Sequence, residues 1–349
     1  MNQTQEFTPQ EVLTLTERPI LALTIGDPAG IGPEISLKSL AEPFAYAEAR
    51  PFLVGSAKVL ELAQQQSGTH LKFNIVNELS QCKFEFGTVD ILDIDNIDMA
   101  ALQMGVVQAQ CGQAAFEYIR MAVDLANQHK IDAIVTAPIN KEALKAAHVP
   151  YIGHTEMIAD LQHAESVMTM FLIEKVKIFF LTRHVPLIEA CRQCGDKDFV
   201  LAGIRRAYRA LQSFHADSPK LAVAGLNPHS GEGGLLGREE IEAIRPAVQE
   251  AAADGLNVVG PVPADSVFHF ARKGQYDAVL SLYHDQGHIA SKMMDFERTV
   301  SITIGLPTLR TSVDHGTAFD IAGKGIASAV SMVEAVRAAI TYAGVYQPV

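Results

Sequence analysis

Three histidines, His184, His229 and His284, each stand just past a stretch that reads as a buried strand: residues 177–183, 221–228 and 278–283. Strand ends in α/β proteins open into shared clefts, and neutral imidazole is the commonest metal ligand. Three such ligands with an open fourth position make a catalytic rather than a structural metal site. They lie 45 and 55 residues apart, which fits no local zinc module, so only the fold could assemble them. Taken singly, each reads equally well as a satisfied polar residue at a strand end.

Other segments carry chemistry-bearing side chains. Gly26-Asp-Pro-Ala-Gly30-Ile-Gly32-Pro-Glu34 joins a strand to a helix. Its glycines permit close backbone approach, and a helix N-terminus suits an anion. The spacing is not that of a dinucleotide fingerprint, and a packed turn is an equal reading. Gly153-His154-Thr155-Glu156 opens a helix, where Thr155 either helps to bind an anion or caps the helix. Residues 227–237 form a glycine-rich loop behind His229 and lead to a helix near Arg238. His288 follows His284 by four residues, but Gly287 between them disfavours a regular helix, and His288 reads as a core or surface side chain. Lys292 and Arg310 are candidate binders of an anionic substrate, with Asp314 and His315 close behind. Gly323-Lys324-Gly325 is no P-loop, since Ala318 stands where its first glycine belongs.

These side chains need a scaffold, and the chain predicts one. Of 349 residues, 48% are hydrophobic, ample for a large core and about two domains. Strand-like runs at 20–26, 51–54, 89–94, 131–136, 221–224, 258–262, 278–283 and 300–304 alternate with helical patterns at 32–44, 106–129, 200–214 and 327–342. Residues 168–183 read as a hairpin, with Glu174-Lys175 at its turn. The alternation predicts an α/β protein with a mostly parallel sheet. The polar stretch 1–18 is expected to be a mobile tail, and a cytoplasmic location follows from the lack of a signal-like segment. No run approaches the length of a membrane span. The formal charge of −12 and the lack of a basic stripe argue against nucleic acid. Cys191-Arg-Gln-Cys194 is a lone pair of thiols on an ordinary helix, without the second pair a zinc module needs.

The runs TIGDPAGIGPEI, TAPINKEAL, GHTE, GLNPHSGEGG, YHDQG and GLPTLRTSVDHGTAFDIAGKG, spread over residues 20–330, make the chain resemble the 4-hydroxythreonine-4-phosphate dehydrogenase family. The resemblance implies an isocitrate/isopropylmalate dehydrogenase-like fold: two α/β/α domains with an interdomain cleft, in a homodimer. Residues 19–145 and 285–349 would form one domain and 146–284 the other. It implies a divalent metal (zinc, cobalt or magnesium) on His184, His229 and His284, the last supplied by the partner subunit. It assigns substrate contacts to His154, Thr155, Lys292 and Arg310. At Ser301 the family has an asparagine. The implied reaction is NAD+- or NADP+-dependent oxidation of a 4-phosphorylated 3-hydroxy acid, then decarboxylation of the 3-keto acid. Lys292 and Asp285 are the candidates for taking the alcohol proton. The expected substrate is 4-hydroxythreonine 4-phosphate. Alternatives are threonate or erythronate 4-phosphate and a dihydrodiol dicarboxylate. A phosphate-handling acyltransferase or a non-catalytic anion binder is more distant.

Overall fold

A computed structural model of the chain describes residues 14–214 and 218–348. The expected tail lies outside the described residues up to position 13. Twelve strands form one sheet: β1 (Ile20–Thr24), β2 (Arg50–Gly55), β3 (Lys72–Val76), β4 (Thr88–Asp93), β5 (Ala133–Thr136), β6 (Met168–Ile173), β7 (Val176–Phe180), β8 (Leu221–Ala224), β9 (Val258–Val262), β10 (Ala278–Ser281), β11 (Val300–Ile304) and β12 (Leu309–Val313). Their order is β3-β4-β2-β1-β5-β12-β11-β6-β7-β10-β8-β9. Pairing is parallel from β3 through β12 and again from β7 through β9. The joints β12–β11, β11–β6 and β6–β7 are antiparallel. The two parallel blocks therefore run in opposite directions, and β11 and β6 stitch them together.

Strands buried on both faces need apolar residues at consecutive positions, and β1, β5 and β10 supply them with Ile-Leu-Ala-Leu-Thr, Ala-Ile-Val-Thr and Ala-Val-Leu-Ser. Alternation divides the core. On β7, Phe179 enters the main cluster with Leu23, Phe52 and Tyr118, while Ile178 and Phe180 enter a smaller one with Phe171, Val267 and Phe268.

The hairpin forms as expected, with Ile173 opposite Val176 across the Glu174-Lys175 turn. The helix expected at 32–44 is instead two, Gly32–Leu40 and Pro43–Glu48, because proline lacks the N–H that would continue the first. The long helix runs Ala109–Asn127. Two strands were not foreseen. β3 is a half-exposed edge strand with a weak apolar signal, and β12 reads Leu-Arg-Thr-Ser-Val, polar at its centre. Gly287 does not stop a helix: residues His284–Met294 are helical. A Cβ at Gly287 would lie 2.5 Å from Phe180 Cε1 and 2.6 Å from Ser281 Oγ. Glycine there lets the helix sit directly on the strand ends, and that packing outweighs its low propensity. Among the described residues no helix is long and apolar enough to cross a membrane.

Candidate active site

A cleft of about 510 Å³ opens over the middle of the sheet, with His154, Thr155, His184, Ser301, Arg310 and Asp314 in its wall. Strand periodicity explains much of this. Ser301 and Thr303 share a face of β11, and their partners across the antiparallel pair are Ser312 and Arg310 on β12. Ser312 in turn lies beside Thr136 at the end of β5.

Arg310 is 4% exposed. It donates to Thr136 Oγ1 through Nε (3.1 Å) and Nη2 (2.8 Å), and to Thr303 Oγ1 through Nη1 (3.0 Å). Both acceptors are neutral. Among the described residues no carboxylate forms an ion pair with it, and burial pushes the guanidinium down to about 10. A buried charge without a counter-charge is costly. Beside it, the Nε2 of His154 is sealed from solvent without a hydrogen-bond partner. Burial, reinforced by the Arg310 charge, holds this imidazole far below its ordinary value and therefore neutral. His154 opens the helix His154–Leu161, whose N-cap is Gly153 with no side-chain capping bond; the Thr155 hydroxyl is thus not spent on capping. Lys141 and Arg183, which sequence reasoning missed, also line the cleft. Arg183 was hidden by its place in an apolar run, and Lys141 by its place at a helix start. Lys292 donates to Asp314 at 2.7 Å, the one ion pair among the described residues that involves a side chain of the cleft wall.

The three histidines leave the ends of β7, β8 and β10, which are neighbours in the sheet. The rings of His184 and His284 approach to 6.1 Å between centroids. Asp285 accepts from His284 Nδ1–H at 2.6 Å, which fixes the tautomer and leaves Nε2 free to ligate. Burial, then the nearby Arg183, lower the pKa of His184, so its ligating neutral form prevails. His229 begins five consecutive residues in left-handed conformation, with φ of 51°, 53°, 79°, 42° and 69° for residues 229–233. Three of these are not glycine, so the turn is strained. It is held at its base by Glu240, fully buried, which accepts from the backbone N–H groups of Leu226 (2.8 Å) and Asn227 (2.7 Å). The His229 side chain is 67% exposed, and among the described residues no group of three side chains within this one chain could hold a metal. The imidazoles of His184 and His284 are thus brought near each other, and His229 does not join them within one chain.

Two other candidates resolve as packing. Gly26 and Gly32 would place a Cβ 2.3 Å from Pro138 O and 2.2 Å from Ile25 O, so the glycines of 26–34 serve a tight turn. Cys194 is buried and its thiol is pushed up to about 12, unsuited to metal or redox chemistry.

Comparison with known proteins agrees with this architecture. The family described as "Pyridoxal phosphate biosynthetic protein PdxA" matches residues 47–339. A relative from Halalkalibacterium halodurans, named "Putative D-threonate 4-phosphate dehydrogenase", is 56% identical over 329 residues, 94% of this chain and 98% of its own. The solved 4-hydroxythreonine-4-phosphate dehydrogenase of Klebsiella pneumoniae is 41% identical with a TM-score of 0.85, covering 93% of this chain and 98% of that one. A terephthalate 1,2-cis-dihydrodiol dehydrogenase from Burkholderia xenovorans LB400 is 31% identical with a TM-score of 0.60, covering 95% and 99%. The chain has the α/β fold of these dehydrogenases, is itself an oxidoreductase, and belongs to the pyridoxal phosphate biosynthetic protein PdxA family.

Proposed function

We propose that the chain oxidises the C3 alcohol of a 4-phosphorylated 3-hydroxy acid, using NAD+ or NADP+ and a divalent metal. The observation that carries this is Arg310: a buried guanidinium that among the described residues has no carboxylate partner, beside a His154 nitrogen that finds no hydrogen bond there, calls for an anion from outside. A phosphate dianion supplies the charge and enough acceptor oxygens for Arg310, His154, Thr155 and the first N–H groups of the helix His154–Leu161. Lys141 and Arg183 extend the positive wall in a chain of net charge −12. Two domains, 19–145 with 285–349 and 146–284, meeting at this cleft are part of the proposal.

Of the candidate substrates we favour D-threonate 4-phosphate. Its support is the 56% identity to the relative bearing that name, against 41% for the Klebsiella enzyme. A second support is Ser301 in the cleft wall, where the resembling family has an amide and this chain offers a single hydroxyl. The reading of 4-hydroxythreonine 4-phosphate is favoured by the description of the matching family. A panel of D-threonate, D-erythronate and 4-hydroxythreonine 4-phosphates, read by cofactor reduction with metal present, tests both. We expect D-threonate 4-phosphate to give the highest kcat/KM. No reduction with any of the three would sink the dehydrogenase assignment to phosphorylated hydroxy acids.

The metal would be held by His184, His229 and His284, with a second copy of the chain completing the set. Bound there, the metal would supply Lewis acidity toward the C3 oxygen, and a bound nicotinamide would supply the hydride acceptor. Asp285 is assigned to orienting His284 rather than to taking the alcohol proton, because its carboxylate is already engaged at Nδ1. Lys292, held by Asp314 at the cleft, is assigned to taking the C3 hydroxyl proton and to protonating C2 after carbon dioxide leaves. Oxidation at C3 places a ketone β to the C1 carboxylate. Loss of carbon dioxide and protonation at C2 then leave a three-carbon phosphorylated ketone. Lys292→Met is expected to lower kcat by about 100-fold or more with a small change in KM. Steady-state kinetics check this, and a kcat within threefold of the parent removes Lys292 from proton handling.

A homodimer is part of the proposal, supported by the metal set left incomplete within one chain and by apolar residues exposed beyond the strand ends that carry the histidines. Ile188, Leu235, Ile289 and Met293, each a few residues beyond one of the histidines, are 83%, 83%, 61% and 81% exposed. Such residues mark a protein–protein contact. The double change Ile289→Asp and Met293→Asp is expected to give monomers by sedimentation equilibrium, with loss of bound metal. A variant that remains dimeric places the contact elsewhere.

A further inference from the structure

We propose that His288 is a positioning residue for the metal site, its ring serving as the flat support that sets the plane of the His284 imidazole. The proposal rests on the metal reading above. The two rings are stacked, with centroids 3.7 Å apart and planes inclined by 11°. The hydrogen bond from His284 Nδ1 to Asp285 selects the tautomer, but one such bond leaves the ring free to turn about the bond axis. Asp285 is itself 70% exposed and adjacent in sequence, so it is a poor anchor. A stacked face removes the remaining freedom.

His288 has what an anchor needs. Its Nδ1–H donates to the carbonyl of His284 at 2.9 Å, which is the i to i+4 spacing of the helix. Its ring is also packed against Phe171 (4.7 Å, 70°) and Phe180 (4.4 Å, 40°), members of the smaller buried cluster. Gly287 makes this arrangement possible, since any side chain there would strike Phe180 and Ser281 and lift the helix off the strands. Rigidity therefore passes from the core through two phenylalanines to His288 and then to His284. Ligands held by such supports lose less freedom on binding metal.

The test compares His288→Phe, which keeps a flat ring, with His288→Leu, which fills the space without one. Zinc affinity of the full-length protein is measured by chelator competition, alongside thermal unfolding. His288→Phe should bind within about threefold of the parent, and His288→Leu should bind about 10- to 100-fold more weakly with an unfolding temperature close to the parent's. If His288→Leu does not fold, His288→Asn, which keeps the donor but not the ring, takes its place with the same expectation. Ringless variants that bind zinc like the parent overturn the proposal. A parent protein that binds no zinc, cobalt or magnesium overturns the metal reading itself, and is recognised before any variant is compared.

Discussion

Arg310→Met is expected to lower kcat/KM for a phosphorylated substrate by about 1,000-fold while leaving the thermal unfolding temperature unchanged or raising it. The two effects have one cause. Arg310 is buried, and its three hydrogen bonds go to the neutral hydroxyls of Thr136 and Thr303, so in the free protein its charge is uncompensated. Methionine fills similar volume without that desolvation cost, and replacing buried charge by apolar groups is often neutral or stabilising. With substrate bound the balance inverts. The guanidinium becomes the counter-charge of the phosphate, and truncating one partner of a buried charge pair costs 2–5 kcal/mol or more. An Arg310 placed only for structure would show the opposite pattern: lower stability and nearly unchanged kinetics. An unphosphorylated substrate should be almost indifferent to the substitution, which separates loss of phosphate binding from damage to the site. A kcat/KM within tenfold of the parent on the phosphorylated acid would sink the assignment.

Mixing two inactive variants is expected to restore activity. His184→Ala and His284→Ala should each be inactive alone. If the metal set takes His184 and His229 from one chain and His284 from the partner subunit, an equal mixture after subunit exchange should recover about a quarter of the parent activity, since half of the dimers are mixed and each carries one intact site. The combinations tell the arrangements apart. Recovery with His184→Ala plus His284→Ala, and none with His184→Ala plus His229→Ala, assigns His284 to the partner. Recovery only when His229→Ala is one member of the mixture assigns His229 to it. No recovery in any mixture places all three ligands in one chain and removes the shared site. The geometry sharpens the question, because the rings that meet within one chain are those of His184 and His284, while His229 points into solvent from a strained turn.

The strands that carry the histidines were readable because parallel strands buried on both faces must be apolar without interruption. The strand that carries Arg310 was not. β12 presents Arg310 and Ser312 to the cleft, so it lacks the hydrophobic pattern by which strands are recognised. Local rules fail most readily where residues are chosen for chemistry rather than packing. The helix through Gly287 was misread for a related reason: propensity counts only the local chain, whereas Phe180, Ser281 and Ile178 decide what fits there. Glu240 was passed over because its two backbone partners lie 13 and 14 positions away, across a loop.

The amino-acid sequence alone determined that this is an α/β protein, and it marked three strand-ending histidines and two well-spaced cations as candidates for its chemistry. Those conclusions rest on periodicity, composition and charge, which are properties of the chain itself. The tertiary structure decided which charges are left without partners. Arg310 meets Thr136 across 174 positions; among the described residues it finds no carboxylate, and His154 comes to lie beside it with a bare ring nitrogen. The structure also decided that two of the histidines meet and the third does not. Whether a group is satisfied depends on everything packed around it, and that is settled only when distant segments of the chain come together.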